Sequence, residues 1–243
     1  FKDASLDVIG PVRSARHYFI DYALENDAIY VHFGESPQAQ SDIDTYNIND
    51  IDGIKEDGTT FWRVKDKKAP HNAVTSMEKI LKSAQNKSYR TTSSKESIFN
   101  YVVEEVNLEE GQVANNISIP YSQSNVVKWT YDETTKKYKR TSKSTQQKDW
   151  TTGEDITAKN IIVEFIANTT LVDGENKGRQ TMNTTGIKDG YYITNGMAIP
   201  IKCKKTSRSS QTVYKDLEGN EIKVNDENTF VQICPLNANV VIE

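Results

Sequence analysis

Cysteine is nearly absent from this chain: two residues in 243, Cys203 and Cys234, with no C-x-x-C pair and no histidine close to either in sequence. A disulfide-framework fold is therefore excluded, and a zinc centre built on the thiols is disfavoured. Both cysteines sit in apolar, strand-like contexts, "AIPIKCKK" and "TFVQICPL", where a buried thiol behaves as a small hydrophobe. A Cys203–Cys234 disulfide between neighbouring strands is the alternative, and it would imply an oxidising compartment. Histidine is scarce too, and His17, His32 and His71 never adopt the i, i+4 spacing of helical zinc motifs. No apolar run approaches the roughly 20 residues of a membrane span, and no basic-then-apolar leader opens the chain. Phe1 enters a patterned segment almost at once, so the chain is read as a fragment or processed form whose missing leader says nothing about localisation. Positive charge is not in excess: 30 Lys and Arg stand against 34 Asp and Glu, a formal net charge of −4, which argues against a dedicated nucleic-acid binder. No repeat of solenoid period and no low-complexity tract occurs.

What is present is globular composition on the polar side, in a chain long enough for one large domain or two small ones. In the first half, "SARHYFIDYALEN" carries Tyr18, Phe19, Tyr22 and Ala23 at helical spacing, with Ser14 placed to cap it. "AIYVHFG" reads as a buried strand, and "SPQAQSDIDTY" as a helix with Ser36 as N-cap and Pro37 at its first position. "FWRV" is a short strand, and "VTSMEKILKSAQNK" is an amphipathic helix capped by Thr75 or Ser76. From about Val113 the pattern turns to short strands. "NVVKWTYD" and "KKYKRTS" face each other across "ETT", "KNIIVEFIA" is the most apolar and central strand, and Asn195-Gly196 marks a hairpin. "QTVYKD" and "EIKV" across "LEGN", then "TFVQIC", continue the series. The expectation is an α+β chain: an N-terminal α/β-type layer domain over residues 1–110, then a mostly antiparallel β domain over 111–243, divided at "LEEGQVANN".

Several stretches invite a chemical reading. "DIDTYNINDIDG" fails as an EF-hand, because setting Gly53 at the sixth position puts Ile48 first and Thr59 twelfth. A solvated acidic loop is favoured over an irregular cation site. "FGESPQ" is not a nucleophile elbow, since Gln38 stands where the second glycine is required, so Ser36 is a helix cap. Each histidine is by default a hydrogen-bonded structural one, and His71-Asn72 draws more interest because a loop residue is free to meet a ligand. The basic clusters "KKYKRTSK" and "KCKKTSR" read as solvated strand faces, with an anion-binding patch as the sharper alternative. "VIGPVRSARHYF" places Arg13 just before a helix start and Arg16 in its first turn, where a guanidinium opposes the positive end of the helix dipole. Helix stability therefore does not call for them. An internal ion pair with Asp21, Asp27 or Asp52 is one explanation, and a cradle for phosphate, sulfate or carboxylate is the other.

Taken together, "IGPVRSARHYFIDYALENDAIYVHFGESPQA", "DIDG…FWRVKDKKAPHN", "VVKWTYDETTKKYKR", "AKNIIVEF", "GR" and "TVYKDLEGNEI" resemble the YerB-like family of bacterial lipoproteins, a domain of unknown function with N- and C-terminal halves. The resemblance covers nearly the whole chain, and its GPxRSAR and APHN segments are specific. It implies a lipid-anchored protein on the outer face of the cytoplasmic membrane of Gram-positive bacteria, with the anchor and the first strands of the N-terminal domain lying outside this chain. Two departures stand out: Glu35 occupies a position expected to be a second glycine, and Cys203 one where tryptophan is usual. The family supplies no reaction. The leading expectation is a binding protein for an anionic cell-envelope component or a membrane-associated protein, without cofactor or metal. Its ligand residues would be Arg13, Ser14, Arg16, His32, Ser36, Arg63, His71 and Asn72. The rival is a hydrolase or transferase on envelope polymers with His32 or His71 as base. A scaffold docking another protein through its β domain is the third.

Overall fold

The computed structural model describes residues 6–243. The chain divides into two compact units, Phe1–Glu96 with Arg208–Gln211, and Ser97–Ser207 with Thr212–Glu243. The division falls upstream of "LEEGQVANN" because Phe99 and Leu108 pack on the core of the second unit, where Tyr101–Val102 also pairs with Val224–Asn225. Three helices stand among many strands in the described residues, so the chain is mixed α and β and rich in sheet.

The first unit contains α1 (His17–Glu25), β1 (Tyr30–His32), α2 (Pro37–Tyr46), β2 (Asp50–Asp52), β3 (Trp62–Arg63), β4 (Ala73–Val74) and α3 (Met77–Asn86). Its strands are short and pair two by two: β1 runs parallel to β2 with His32 opposite Asp52, and β3 is antiparallel to β4. The segment from Ile9 to Ala15 joins these pieces as an extended seam. Ile9 exchanges both backbone bonds with Thr75, and the Val12 amide donates to the Ala73 carbonyl. On the other side Ala15 bridges Glu35, and the Phe33 amide donates to the Arg13 carbonyl. Ile51, Phe61, Ile80 and Ala84 form the core here, with Ile9, Val12, Val31 and Phe33 packed against them.

That seam corrects the expected start of α1. Residues 12–15 are committed to extended pairing, so the helix begins only at His17, with Arg16 as its N-cap residue and no side-chain cap. Ser14 caps nothing. Ser36 does cap α2, its Oγ accepting from the Ala39 amide at 3.2 Å, and Pro37 opens that helix. For α3 the cap is Ser76, whose Oγ accepts from the Lys79 amide, while the Thr75 hydroxyl donates to the Thr60 carbonyl.

The second unit carries β5 (Asn116–Ser122), β6 (Asn125–Asp132), β7 (Lys137–Ser142), β8 (Asn160–Ile166) and β9 (Gly186–Thr194). It continues with β10 (Met197–Lys205), β11 (Val213–Lys215), β12 (Thr229–Pro235) and β13 (Val241–Ile242). One sheet has the order β7-β6-β5-β13 and the other β11-β10-β9-β8-β12. The inner faces pack as a sandwich, with Ile117, Val127, Trp129 and Tyr138 from one sheet meeting Ile161, Val163, Ile193 and Cys234 from the other. Ile162, Tyr192, Ile201 and Cys203 line the opposite face of the second sheet, under Tyr214 and Ile222. β8 is thus buried on both faces, which explains its unbroken apolar run. Asn195 and Gly196 take φ values of 49° and 75°, the left-handed pair that a tight hairpin requires. Two pairings depart from the antiparallel expectation: β12 runs parallel to β8 over seven residues, and Val224–Asn225 runs parallel to Tyr101–Val102.

The alternative disulfide does not form, and both cysteines are free and buried. Cys203 on β10 and Cys234 on β12 are separated by β9 and β8, about 14 Å at the usual strand spacing. They also face opposite sides of the sheet, whereas a disulfide needs Cα atoms within about 7 Å. Burial pushes both thiols up, Cys234 to about 11. The basic clusters are solvated faces in part, with surface lysines paired to carboxylates and two members packed inward. Lys136 pairs with Glu105, Lys139 with Asp132 and Lys202 with Asp189. Lys205 is buried, and the Arg140 guanidinium lies over the Trp129 and Phe230 rings.

Two predictions follow from these packing details. Titration of the unreduced protein with a thiol reagent should find two reactive thiols in denaturant and essentially none in the native fold; no thiol in denaturant would contradict the two-sided placement. Chemical denaturation should show Ser36→Ala costing about 1 kcal/mol, as loss of a helix cap does, and Ser14→Ala within about 0.5 kcal/mol of wild type.

Candidate functional site

The seam sets the direction of the two arginines. In extended backbone, residues three apart point to opposite faces, and Arg13 and Arg16 do so. Arg13 is exposed, and its Nη1 donates to the Pro70 carbonyl at 3.0 Å and to His71 Nδ1 at 3.1 Å. A guanidinium only donates, so His71 Nδ1 is the acceptor and the ring proton sits on Nε2. Arg16 turns back to its own backbone instead, donating from Nη1 to the Ala15 carbonyl at 2.7 Å, near Tyr18 and Tyr30. The expected two-arginine cradle at a helix start is therefore not formed.

Neither arginine has a carboxylate partner among the described residues, because the three aspartates named for that role are engaged elsewhere. Asp21 is held by Arg208, which also reaches Asp42 at 2.5 Å, stacks over the Tyr46 ring and lies in the segment 208–211 that belongs to this unit. Asp27 pairs with Arg90. Asp52 accepts from the amides of Gly34 and Ile54, each at 2.9 Å, through one oxygen. In the sequence Arg208 is one more residue of a basic cluster, and nothing around it marks the long-range pairing.

Four of the eight expected ligand residues share one neighbourhood. Arg63 on β3 donates from Nη1 to Asn72 Oδ1 at 3.1 Å and from Nε and Nη2 to Asp57, and its guanidinium lies 4.3 Å over the Phe33 ring. Asn72 follows His71, so Arg13, His71, Asn72 and Arg63 form a continuous polar run along the seam, with exposed Lys65 and Lys68 on the loop between β3 and β4. Residues 63–71 carry four basic side chains (Arg63, Lys65, Lys67, Lys68) and one acidic (Asp66), in a chain that is acidic as a whole. Ser14, Arg16 and Ser36 stand outside this group.

His32 stands outside it as well. It is buried, with Nε2 3.1 Å from Asp50 Oδ2 and Nδ1 3.0 Å from the Gly34 carbonyl. Burial alone would lower its proton affinity, but the acceptors Asp50, the Gly34 carbonyl and Asp52 outweigh it and the ring is shifted upward. The stretch expected to be a solvated acidic loop is thus partly internal: Asp52 is buried and Asp50 half-buried against His32. No hydroxyl or thiol lies within hydrogen-bond reach of His32 or His71 among the described residues, so a histidine-activated nucleophile has no geometric support.

Comparison with known proteins places this geometry in a family. The models named "Protein of unknown function (DUF3048)", N-terminal and C-terminal domain, match residues 1–90 and 117–231. The chain belongs to this two-domain family. It is 28% identical over 214 residues to the Bacillus subtilis (strain 168) protein named "Putative lipoprotein YerB", covering 83% of this chain and 64% of that protein. It therefore spans less than two thirds of the length of this curated relative. The crystal structure of the YerB protein from Bacillus subtilis superposes with a TM-score of 0.85 at 25% identity, over 99% of this chain and 80% of that one. No helix among the described residues is long and apolar enough to cross a membrane.

The Asp52 contacts generate a stability prediction. Asp52→Ala leaves the Gly34 and Ile54 amides without their acceptor and should cost about 2–3 kcal/mol in denaturant titration. Asp52→Asn, which keeps one carbonyl oxygen, should cost less. A loss below about 0.5 kcal/mol for the alanine variant would contradict the role given to this carboxylate.

Proposed function

We propose that this chain is the extracytoplasmic part of a lipid-anchored envelope protein that binds an anionic cell-envelope polymer through Arg13, Arg63, His71 and Asn72. The observation that carries the proposal is the state of Arg13. Its guanidinium is exposed and held in place by the Pro70 carbonyl and His71, yet no carboxylate among the described residues neutralises it. A fixed cation with remaining N–H donors is suited to phosphate or carboxylate, and pre-positioning lowers the entropy lost on binding. Arg63 is already paired with Asp57, so its share is to complete the rim with Asn72. Lys65 and Lys68 add long-range attraction on an otherwise acidic chain, of the kind that raises association rates and is screened by salt. The lipid anchor and the outer-face location rest on the likeness to a relative whose name describes it as a lipoprotein.

The test is binding of a purified teichoic-acid-type polymer of glycerol phosphate, measured at two salt concentrations. Arg13→Ala/Arg63→Ala should weaken binding about tenfold or more, equivalent to about 1.4 kcal/mol, while Arg16→Ala stays within a factor of about two. Binding should also fall as salt rises. Equal affinity in wild type and the double variant would overturn the assignment.

A further inference from the structure

We propose that His32 is carried as a buried imidazolium and works as a proton switch on the seam. Charged, it clamps the Gly34 carbonyl that also holds Ala15; on losing its proton it releases that joint. The inference does not depend on the anion-binding reading. It stands on the geometry at the ring. Nδ1 lies 3.0 Å from the Gly34 carbonyl and Nε2 lies 3.1 Å from Asp50 Oδ2, so both nitrogens face acceptors. A neutral imidazole has one N–H and one lone pair. With the proton on Nε2, the Nδ1 lone pair would meet the Gly34 carbonyl. With the proton on Nδ1, the Nε2 lone pair would meet the Asp50 carboxylate. Only the doubly protonated ring satisfies both contacts, and the ring is buried, where an opposed pair of acceptors is costly.

The surrounding charges favour the same state. On the Nδ1 side Glu35 Oε2 lies at 3.7 Å and Asp52 Oδ1 at 3.9 Å, the latter already accepting from the Gly34 and Ile54 amides. The lysines nearby are exposed Lys55, 3.8 Å from Asp52 Oδ2, and Lys87 of α3, which is engaged with Glu56 at 3.2 Å. Tyr30, itself near Arg16, stacks on the ring with centroids 5.2 Å apart. Burial pushes its phenol up to about 12, so it adds no charge. Burial also opposes the charge on His32, but Asp50, the Gly34 carbonyl and Asp52 outweigh it and lift the ring above its ordinary value of 6.5. Asp50 is lowered in return, because His32 outweighs the effect of its burial.

The Gly34 carbonyl is where the charge meets the fold. It receives two donors, the ring and the Ala15 amide, the latter at 2.8 Å. Beside it the Phe33 amide donates to the Arg13 carbonyl at 3.0 Å, and the Gly53 amide to the His32 carbonyl at 2.7 Å. Ring, turn and residues 13–15 therefore form one hydrogen-bonded joint. The bond to the Asp50 carboxylate is the stronger of the ring's two, so the proton lost is the one on Nδ1. The Gly34 carbonyl then faces a lone pair, and the turn separates from the ring and loosens the seam. Because the fold holds this proton more tightly than an ordinary histidine does, the clamp is complete below pH 6.5 and is lost as pH rises through the higher folded value.

Imidazole nitrogen shifts and amide hydrogen exchange of the 243-residue chain, followed together across the neutral and mildly alkaline range, test the switch. His32 should carry protons on both nitrogens at its ordinary midpoint of 6.5 and lose the Nδ1 proton only above it. Through that transition the Ala15 amide should lose about tenfold of its protection, after correction for base-catalysed exchange, equivalent to about 1.4 kcal/mol. Asp50→Asn keeps the side-chain shape and should bring the His32 midpoint down by about 1 pH unit or more. A ring already neutral at pH 6.5, Ala15 protection that stays constant while His32 titrates, or a midpoint unmoved by Asp50→Asn would each overturn the proposal.

Discussion

The Asp52 carboxylate is the interaction on which the first unit's architecture turns. One of its oxygens accepts from the amides of Gly34 and Ile54, and so joins the end of β1 to the end of β2. Without that acceptor, two backbone donors at a tight turn would have no local partner. With it, the chain reverses at Gly34, Ser36 is placed to cap α2, and Glu35 is brought beside the seam segment through the Ala15 bridge. The seam then passes to β4 through Val12 and Ile9, so three stretches distant in sequence become neighbours. Phe33 and Ile51, beside this turn, carry the apolar packing that excludes water from it.

The same alternation of the extended chain separates two chemistries. Residue 33 sends its ring toward the Arg63 guanidinium, on the side where Arg63 meets Asn72. Residue 32 sends its imidazole the other way, toward Asp50 and Asp52. A single strand end thus separates a cationic, exposed face from an anionic, buried cluster, and a one-residue slip would exchange them. That separation also accounts for the fates of Arg13 and Arg16. Three positions apart on extended backbone, they face different surroundings, and only Arg13 meets the basic loop.

Much of the fold was legible in the sequence because its signals are local. Ser36-Pro37, Asn195-Gly196 and the apolar run of β8 each act through their own backbone or burial, and each structural element lies where its residues indicated. Long-range pairing was not legible. Ser14 has the right chemistry for a cap, yet the backbone of Val12, Arg13 and Ala15 around it is taken by partners some twenty and sixty residues away, which no local pattern reveals. Arg208 reads as one more basic residue until the fold delivers it to Asp21 and Asp42. Of the candidate site, Arg13, Arg63, His71 and Asn72 were visible as residue types in specific segments. Their convergence depends on the pairing of the seam with β4 and of β4 with β3. Asp50 and Asp52 were visible only as acidic residues, because burial of one carboxylate and not another is decided by register.

Under the proposed function, the first unit recognises anions through the seam around Arg13, and not through the lysines of the second unit's hairpin. Amide and guanidinium NMR shifts followed during titration with a glycerol-phosphate polymer test it most directly. The account predicts saturable shifts concentrated at Arg13, Arg63, His71 and Asn72, with little change at Lys137, Lys139 or Lys143. Shifts confined to the β6–β7 hairpin, with Arg13 and Arg63 unmoved at saturation, would contradict it.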